Sequence, residues 1–228
     1  MTLSPEPRDN WNPFQPVEDS HRARKHALVH EVKRVVEHSA LLDIGTLSDA
    51  ALDDLTAEAR HLADRLEASP RFEGLANLPL PDMALVERSP FSGRANPLAT
   101  PVSMVLGDDG VTRGSAVWTA AYEGPIGHLH GGFVAAAFDD LMGMAQIASG
   151  IGGYTGTLTV KMLRPTPLHV RIDYEAAVDR IEGRKIYVLG TSRHGDELLA
   201  ECEIVFIAPV GGFTAEARLA AEQMAADD

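Results

Sequence analysis

The chain has 228 residues, 45% hydrophobic and 23% charged, which is enough for one large domain, or one domain with an extension, around a sizeable core. Its formal net charge of −13 argues against a nucleic-acid partner, because phosphate contacts need clustered lysine and arginine. Since Cys202 is the only cysteine and the sequence shows no apolar leader or bilayer-length apolar run, we expect a cytoplasmic protein without disulfides or a membrane span.

Two helices are predicted first, in an N-terminal extension that covers residues 1–89. Apolar residues recur at helical spacing from about 20 to 42, and Ser48 is typical of a second helix start. The apolar stripe of the second helix ends before Pro70, and the residues beyond it are typical of a long connection. The pattern leaves three roles open for these helices: covering a site, extending an interface or binding another protein.

The hydrophobic period changes to two from about residue 101, which predicts antiparallel strands. The strand candidates, separated by turn residues, are 101–106, 111–122, 157–162, 168–179, 185–192 and 198–207. A mostly apolar helix of about 18 residues lies between the second and third candidates. Because such a helix must bury one face against the sheet, the pattern predicts an α+β domain over 90–210 whose sheet curls around the helix. The Ala- and Glu-rich tail, 211–228, favours a short helix.

The segment GHLHGGFVAAAFDDLMG, residues 127–143, opens this central helix. Gly131 and Gly132 follow a loop and precede helix-tolerant residues, so we expect the helix to begin at the two glycines. A helix start presents unpaired N–H groups and a partial positive charge, and glycine lets a ligand approach them closely. The segment therefore predicts a site for an anion, or for an oxygen that becomes anionic in a reaction.

Two adjacent carboxylates, Asp139 and Asp140, interrupt the apolar helix. Gly132, Ala136 and Asp139 share one helix face, whereas Asp140 is turned about 100° away. Asp139 is therefore expected to face a site, and Asp140 to face a loop, a partner subunit or solvent. From the pattern alone, a plain solvent-exposed rim is the alternative for both.

Other chemistries have weaker support in the sequence. His128 and His130 lie two residues apart without a third ligand at metal spacing, so no metal site is predicted. The chain contains no G-x-S-x-G nucleophile elbow. Cys202 lies in an alternating strand candidate and is expected to belong to the core rather than to act as a nucleophile. We expect neither a metal nor a cofactor.

Three segments in this order, GHLHGGFVAAAFDD, GTLTVKMLRPTPL and EGRKIYV, resemble those of hotdog-fold acyl-CoA thioesterases. The similarity points to the phenylacetate-pathway (PaaI-like) type and the carboxyl-terminal-modulator-like branch, and it covers roughly residues 90–208. The resemblance implies the hotdog fold, an antiparallel six-stranded sheet wrapped around a long central helix. It also implies a homodimer or dimer of dimers, in which one chain contributes the His-Gly-Gly helix start and the other the aspartate.

The resemblance further implies thioester hydrolysis, in which acyl-CoA and water give a carboxylic acid and CoA. The N–H of Gly131 or Gly132, with Gly131 favoured, would stabilise the carbonyl oxygen, and Asp139 would act as general base or as nucleophile. Thr155 corresponds to a hydroxyl that bonds the carboxylate or the water; a strand-start hydroxyl without a catalytic part is the alternative. His130 is expected to orient the loop or the substrate carbonyl, or else to be a structural histidine bonded to backbone.

Substrate-binding residues are indicated less sharply. In some hotdog branches an Asn or Gln before the helix helps to bind the substrate carbonyl. The corresponding segment here, YEGPIG at 122–127, has no such amide, which favours a role for His128 or His130 in the site. Arg164, Arg184 and Lys185 are the candidate partners of the CoA phosphates, because such contacts need local cations. A non-catalytic acyl-CoA-binding hotdog protein and, ranked last, a hotdog dehydratase are the alternatives.

Overall fold

The computed structural model describes residues 20–70, 88–147 and 149–210 of the chain. The helix expected in the tail after 210 lies outside the described residues, as do two parts of the predicted N-terminal extension, 1–19 and 71–87. No helix among the described residues combines the length and the apolarity that a bilayer crossing requires.

The α-helices of the described chain are α1 (Ser20–Ala40), α2 (Asp49–Glu67) and α3 (Gly131–Ile147). Each lies where the sequence predicted a helix. The Ser48 hydroxyl accepts a hydrogen bond from the N–H of Ala51 at 3.2 Å, so α2 begins with the expected N-cap. The central helix α3 begins at the two glycines, as predicted.

Six strands form one antiparallel sheet in the order β1-β2-β4-β5-β6-β3. Their bounds are β1 (Ser103–Leu106), β2 (Thr112–Val117), β3 (Tyr154–Met162), β4 (Arg171–Glu182), β5 (Lys185–His194) and β6 (Glu197–Ile207). Because β3 pairs with β6 at the far side, β1 and β3 are the two edges of the sheet. α3 contacts all six strands, so the sheet wraps around it, as predicted.

The hydrophobic core lies between α3 and the sheet. Phe138, Leu141 and Met142 on the helix have no solvent-exposed area. They meet fully buried side chains from the strands and the β2 end, among them Trp118, Ile172, Ile186, Val188 and Ile204. Burying a large apolar side chain contributes about 1.5–3 kcal/mol. This packing fixes the position of α3, and hence of both its N-terminus and Asp139.

The second and fourth strands have other bounds than the sequence predicted. The second ends at Val117, because the chain then enters a 3₁₀ turn at Ala120–Tyr122. The fourth begins at Arg171 rather than at 168, because His169 has a left-handed φ of 62° that interrupts the extended backbone. The N–H of His169 donates to the carbonyl of Trp118 at 2.8 Å, which ties this kink to the chain just beyond β2.

The edge strand β3 differs from the inner strands in its exposure. Seven of its nine residues are exposed, and only Leu158 and Val160 are partly covered. The other edge, β1, has only four residues. A long edge strand presents unpaired backbone N–H and C=O groups to any further strand. The β3 edge is therefore the place where this sheet can be extended.

Candidate active site

His130 caps the N-terminus of α3. Its backbone N–H donates to the carbonyl of Tyr122 at 3.0 Å, and its ring Nδ1 accepts the N–H of Gly132 at 3.0 Å. Since Nδ1 is the acceptor, the proton of the neutral ring is on Nε2. The N–H of Gly131 makes no hydrogen bond with any residue that the structure describes. Of the two glycines, Gly131 thus offers the free donor at the helix start.

A close approach of the preceding loop holds His130 in place. A Cβ on Gly124 would lie 2.7 Å from the Cα of His130, a distance that real Cβ contacts do not show. The N–H of Gly124 donates to the carbonyl of His128 at 2.9 Å, and the Nδ1 of His128 lies 2.8 Å from the carbonyl of Ile126. Both histidines are therefore bonded to backbone, in a loop with no room for a side chain at position 124.

Aromatic side chains pack beside the helix start. The ring of Tyr122 meets those of Trp118 and Phe133 edge-on, with centroids 5.2 and 5.0 Å away. The buried Nε1 of Trp118 donates to the hydroxyl of Tyr174 at 2.9 Å, which anchors the cluster to β4. Burial raises the pKa of the Tyr174 phenol, so this hydroxyl stays protonated. The cluster holds rigid the segment whose carbonyl binds His130.

Asp139 lies farther along the same helix and is bonded to the edge strand. The Oγ1 of Thr155 donates to its Oδ1 at 2.8 Å. Asp139 is partly exposed and Thr155 is exposed, so water reaches both. The pairing of β3 with β6 shifts between Thr155 and Thr157, a bulge of the kind that re-aims side chains at functional sites.

Asp140 faces a loop, one of the positions that the sequence left open for it. The Oγ of Ser89 donates to its Oδ1 at 3.2 Å and also accepts the N–H groups of Phe91 and Ser92. Burial raises the pKa of the Asp140 carboxyl, against the opposing effect of hydrogen bonds from Ser92 and Ser89. Asp140 therefore fastens the segment before β1 to α3, and it does not share the surroundings of Asp139.

Gly131 and Asp139 cannot act on one carbonyl within a single chain. Eight helical positions separate them, about 12 Å along the axis, whereas a reacting carbonyl needs its donor and its attacking group at about 3 Å. Gly131 lies beside Met162, because a Cβ built on Gly131 would be 3.2 Å from the Cε of Met162. Met162 ends β3, whereas Thr155, the partner of Asp139, lies near its start. The chain thus carries two candidate half-sites, one at each end of the exposed edge strand, which are called the Gly131 half-site and the Asp139 half-site.

The cations expected to bind phosphate divide between the two half-sites. Arg164 follows the end of β3 on the Gly131 side and forms an ion pair with Glu197 at 2.8 Å. Arg184 and Lys185 lie at the β4–β5 turn. Lys185 pairs with Ile207 at the end of β6, and so does Tyr154 at the start of β3. The turn is therefore on the Asp139 side of the sheet.

Each of these cations is exposed to solvent. The Nε of Arg184 donates to the carbonyl of Ala208 at 2.8 Å, which fixes the guanidinium near the end of β6. Lys185 pairs through its backbone with Glu182 and Ile207. Because exposed ion pairs contribute only about 0–1 kcal/mol, a phosphate can displace Glu197 from Arg164 at little cost.

Cys202 is in the core, as predicted, since only 4% of it is exposed. Burial, with a smaller effect of the negative charges of Asp139 and Glu203, raises the pKa of its thiol to about 12. The side chain is therefore a packing group and an unreactive thiol at neutral pH. Among the described residues, no group of His, Cys, Asp or Glu side chains is arranged to hold a metal ion.

Three contributors to this region were not identified from the sequence. Gly124 is required by a close backbone approach, for which its place in a Gly-Pro loop is only a general signal. Met162 adjoins Gly131, and Ser89 binds Asp140 from 51 residues away. Neither pairing has a local sequence signal, because each arises from the packing of distant segments.

Comparison with known proteins gives two informative similarities, although no model of a known protein family matches the chain. Over 87 residues it is 36% identical to acyl-coenzyme A thioesterase THEM4 of Xenopus laevis. The match spans 37% of this chain and 39% of the Xenopus protein. The crystal structure of a thioesterase superfamily protein superposes with a TM-score of 0.72 at 29% identity, over 85% of this chain and 97% of the other.

These similarities agree with the family resemblance predicted from the sequence. The structural match extends beyond the 90–208 region and over most of the chain. The resemblance to the hotdog-fold thioesterases is confirmed, and the chain has the α+β hotdog fold of that superfamily.

Proposed function

We propose that this protein hydrolyses the thioester bond of acyl-CoA, giving a free carboxylic acid and CoA. The observation that carries the proposal is the pair of half-sites: a free helix-start N–H at Gly131 and a carboxylate at Asp139 bonded to Thr155. Thioester hydrolysis needs both, a donor for the carbonyl oxygen and a base or nucleophile. The Xenopus relative, itself an acyl-coenzyme A thioesterase, supports the substrate class.

A homodimer formed through the β3 edges would complete the site. A two-fold axis perpendicular to β3 pairs the strand antiparallel with its copy, so that the start of one lies beside the end of the other. With the axis near Leu158 and Thr159, Thr155 of one protomer lies close to Met162 of its partner. Asp139 of one protomer then approaches Gly131 of its partner, and the dimer contains two equivalent sites. A dimer of dimers would keep the same arrangement.

In this proposal the Gly131 N–H binds the carbonyl oxygen, where negative charge develops as the carbon becomes tetrahedral. Asp139 takes a proton from water while the water oxygen bonds to the acyl carbon; the C–S bond then breaks and the sulfur takes up a proton. In the alternative, Asp139 itself attacks the acyl carbon, the C–S bond breaks and the CoA sulfur leaves and takes up a proton; water then hydrolyses the resulting anhydride to the carboxylic acid and free Asp139. His130 contributes by capping the helix through Gly132, which keeps the Gly131 N–H directed outward.

The dimer would also gather the proposed phosphate-binding cations. In each protomer, Arg184 and Lys185 lie on the Asp139 side and Arg164 lies on the Gly131 side. The Asp139 side of one protomer would meet the Gly131 side of its partner. The two-fold axis brings these ends together, so all three cations flank one composite site and would bind the phosphates of CoA. His128 is placed by the same loop as His130 and would line the approach to it. A reducing cytoplasm is the compartment that we propose for this activity.

Release of free thiol from a panel of acyl-CoAs tests the proposal, with Asp139→Asn as the matched variant that keeps shape and removes charge. We expect turnover of at least one acyl-CoA by the wild type and a loss of about 100-fold or more in the variant. Equal activity of the two proteins would contradict the assignment of Asp139. Binding of acyl-CoA without turnover would instead favour a non-catalytic acyl-CoA-binding protein.

A further inference from the structure

The helices α1 and α2 each carry a stripe of mostly apolar residues that packs on no facing helix among the described residues. The α1 seam, with residues spaced alternately by four and three, consists of Leu28, Val32, Val35 and Ser39. The α2 seam, with the same alternation, consists of Leu52, Leu55, Ala59, Leu62 and Leu66. An apolar repeat of 3.5 residues on average is the seam of a coiled coil, which requires a facing helix.

Within residues 20–70, 88–147 and 149–210 of one chain, neither seam packs on such a helix. No side chain of α2 is buried, and Leu55 and Leu66 are 46% and 43% exposed. α1 contacts the Ala120–Tyr122 turn, and Val29, which lies beside the seam, is buried. Val35, in the middle of the α1 seam, remains 53% exposed. The packing of α1 on the domain thus covers Val32 in part and leaves Leu28 and Val35 of the seam exposed.

The charges of the two helices favour a mixed pair over like pairs. α1 has five Lys and Arg residues against two Glu, a net charge of +3, whereas α2 has six Asp and Glu against two Arg, a net charge of −4. Two copies of α1, or two of α2, would repel each other. α1 against α2 is attractive, and every copy of the chain carries one of each.

One antiparallel register matches the seams layer by layer. It places these residues opposite each other: Leu28 and Leu66, Val32 and Leu62, Val35 and Ala59, and Ser39 and Leu55. The same register brings Glu31 opposite Arg65 and His38 opposite Glu58, at the positions that flank a coiled-coil seam. Val35 faces the smaller Ala59 in the middle layer, and Glu31 and Arg65 form a pair of opposite charges beside the seam.

We propose that α1 of one copy of this chain packs against α2 of a second copy through these seams, as an antiparallel pair. The two-fold symmetry of a dimer makes the exchange reciprocal, so each dimer gains two such helix pairs. The helical extension then joins two copies, while the hotdog domain holds the half-sites. This interface is independent of the thioesterase activity, and either proposal can fail without the other.

Disulfide trapping tests this pairing, in a Cys202→Ala background that leaves no native cysteine. Val35→Cys and Ala59→Cys chains with different affinity tags are co-expressed, oxidised mildly and separated under non-reducing denaturing conditions. We expect a covalent dimer that carries both tags. The matched control combines His30→Cys with Ala57→Cys, which lie on the helix faces away from the seams; it should give far less of the mixed dimer.

Three results would overturn the proposal. One is an intrachain disulfide in the double variant Val35→Cys/Ala59→Cys with no mixed dimer, which means that the seams pair within one chain. Another is a disulfide between two Val35→Cys chains that forms as readily as the disulfide between a Val35→Cys and an Ala59→Cys chain. The third is no disulfide in any combination, which means that something else covers the seams. Thiol release from acyl-CoA, measured on the same samples, reports separately on the catalytic proposal.

Discussion

Thr155 Oγ1 donates a 2.8 Å hydrogen bond to Oδ1 of Asp139, and so joins the edge strand to the middle of the central helix. This bond orients the carboxylate and leaves Oδ2 without a hydrogen-bond partner among the described residues. Oδ2 is thus the oxygen that can accept a proton from water or attack a carbonyl carbon. The geometry places Oδ2 near the exposed sheet edge, where the proposed second protomer would join.

Thr155→Val removes the hydroxyl at nearly constant volume, and Thr155→Ser retains it. Hydrogen bonds to charged groups contribute about 1.5–3 kcal/mol, so we expect kcat for acyl-CoA hydrolysis to fall about 10- to 100-fold in the valine variant. The serine variant should retain most of the activity. Steady-state kinetics on one acyl-CoA checks this, and equal kcat values for the valine and serine variants would show that the hydroxyl has no catalytic part.

Gly131→Pro removes the proposed donor at the first position of α3, where proline is well tolerated. Gly131→Ala is the matched control, because it adds a Cβ against the flexible end of Met162 but keeps the N–H. We expect kcat to be about 100- to 1000-fold lower in the proline variant than in the alanine variant. Comparable kcat values in two folded variants would exclude the Gly131 N–H as the oxyanion donor.

Asp140 makes the stability of the protein depend on pH in a predictable direction. Because burial raises its pKa in the folded state above the ordinary 3.8, the folded protein binds this proton more tightly than the unfolded chain. The contribution of Asp140 to the free energy of unfolding is full below pH 3.8 and is lost as pH rises through the folded-state pKa. Asp140→Asn removes this loss, so the variant should gain stability relative to the wild type as pH rises.

Urea unfolding of the two proteins at a series of pH values between about 4 and 7 measures that difference. Taking the difference cancels the other carboxyl groups, among them Asp109, whose pKa is lowered chiefly by its hydrogen bond with Arg113. A difference that is constant with pH, or that shrinks as pH rises, would show that Asp140 is not penalised by burial.

Cys202 should resist alkylation in the folded protein. With a pKa of about 12, roughly one thiol in ten thousand is ionised at pH 8, and the side chain is also buried. We expect iodoacetamide at pH 8 to leave the native protein unmodified and its activity unchanged, and to modify the urea-unfolded chain fully, as measured by mass spectrometry. Rapid modification of the native protein with loss of activity would place this thiol in a reactive site.

Much of the fold follows from local patterns in the sequence. The helix α3 and the alternating strands are predicted because their hydrophobic periods match the faces that they bury. The end of β2 and the start of β4 are not predicted from the sequence. The 3₁₀ turn after Val117 and the left-handed His169 depend on contacts between distant segments. Helix geometry alone separates Asp139 from Asp140, and the structure gives them different partners.

The candidate site, like the fold, is predicted from the sequence only in part. The helix start at Gly131 is predicted from a local motif. That His130 occupies the neighbouring N–H of Gly132 could not be predicted, because it depends on the ring orientation. The role of His130 as a backbone-bonded cap corresponds to the structural alternative for that residue. The assembly of the two half-sites across a dimer stays a prediction, which symmetry and the exposed β3 edge support.

Complementation between two inactive variants tests the composite site most directly. Asp139→Asn and Gly131→Pro chains are co-expressed with different affinity tags, and dimers carrying both tags are compared with each parent. In a composite site, the mixed dimer combines Asp139 from one chain with Gly131 from the other and so has one intact site. Random assembly should therefore restore about a quarter of the wild-type activity to the unfractionated mixture. Mixed dimers that form but remain as inactive as either parent would contradict the account.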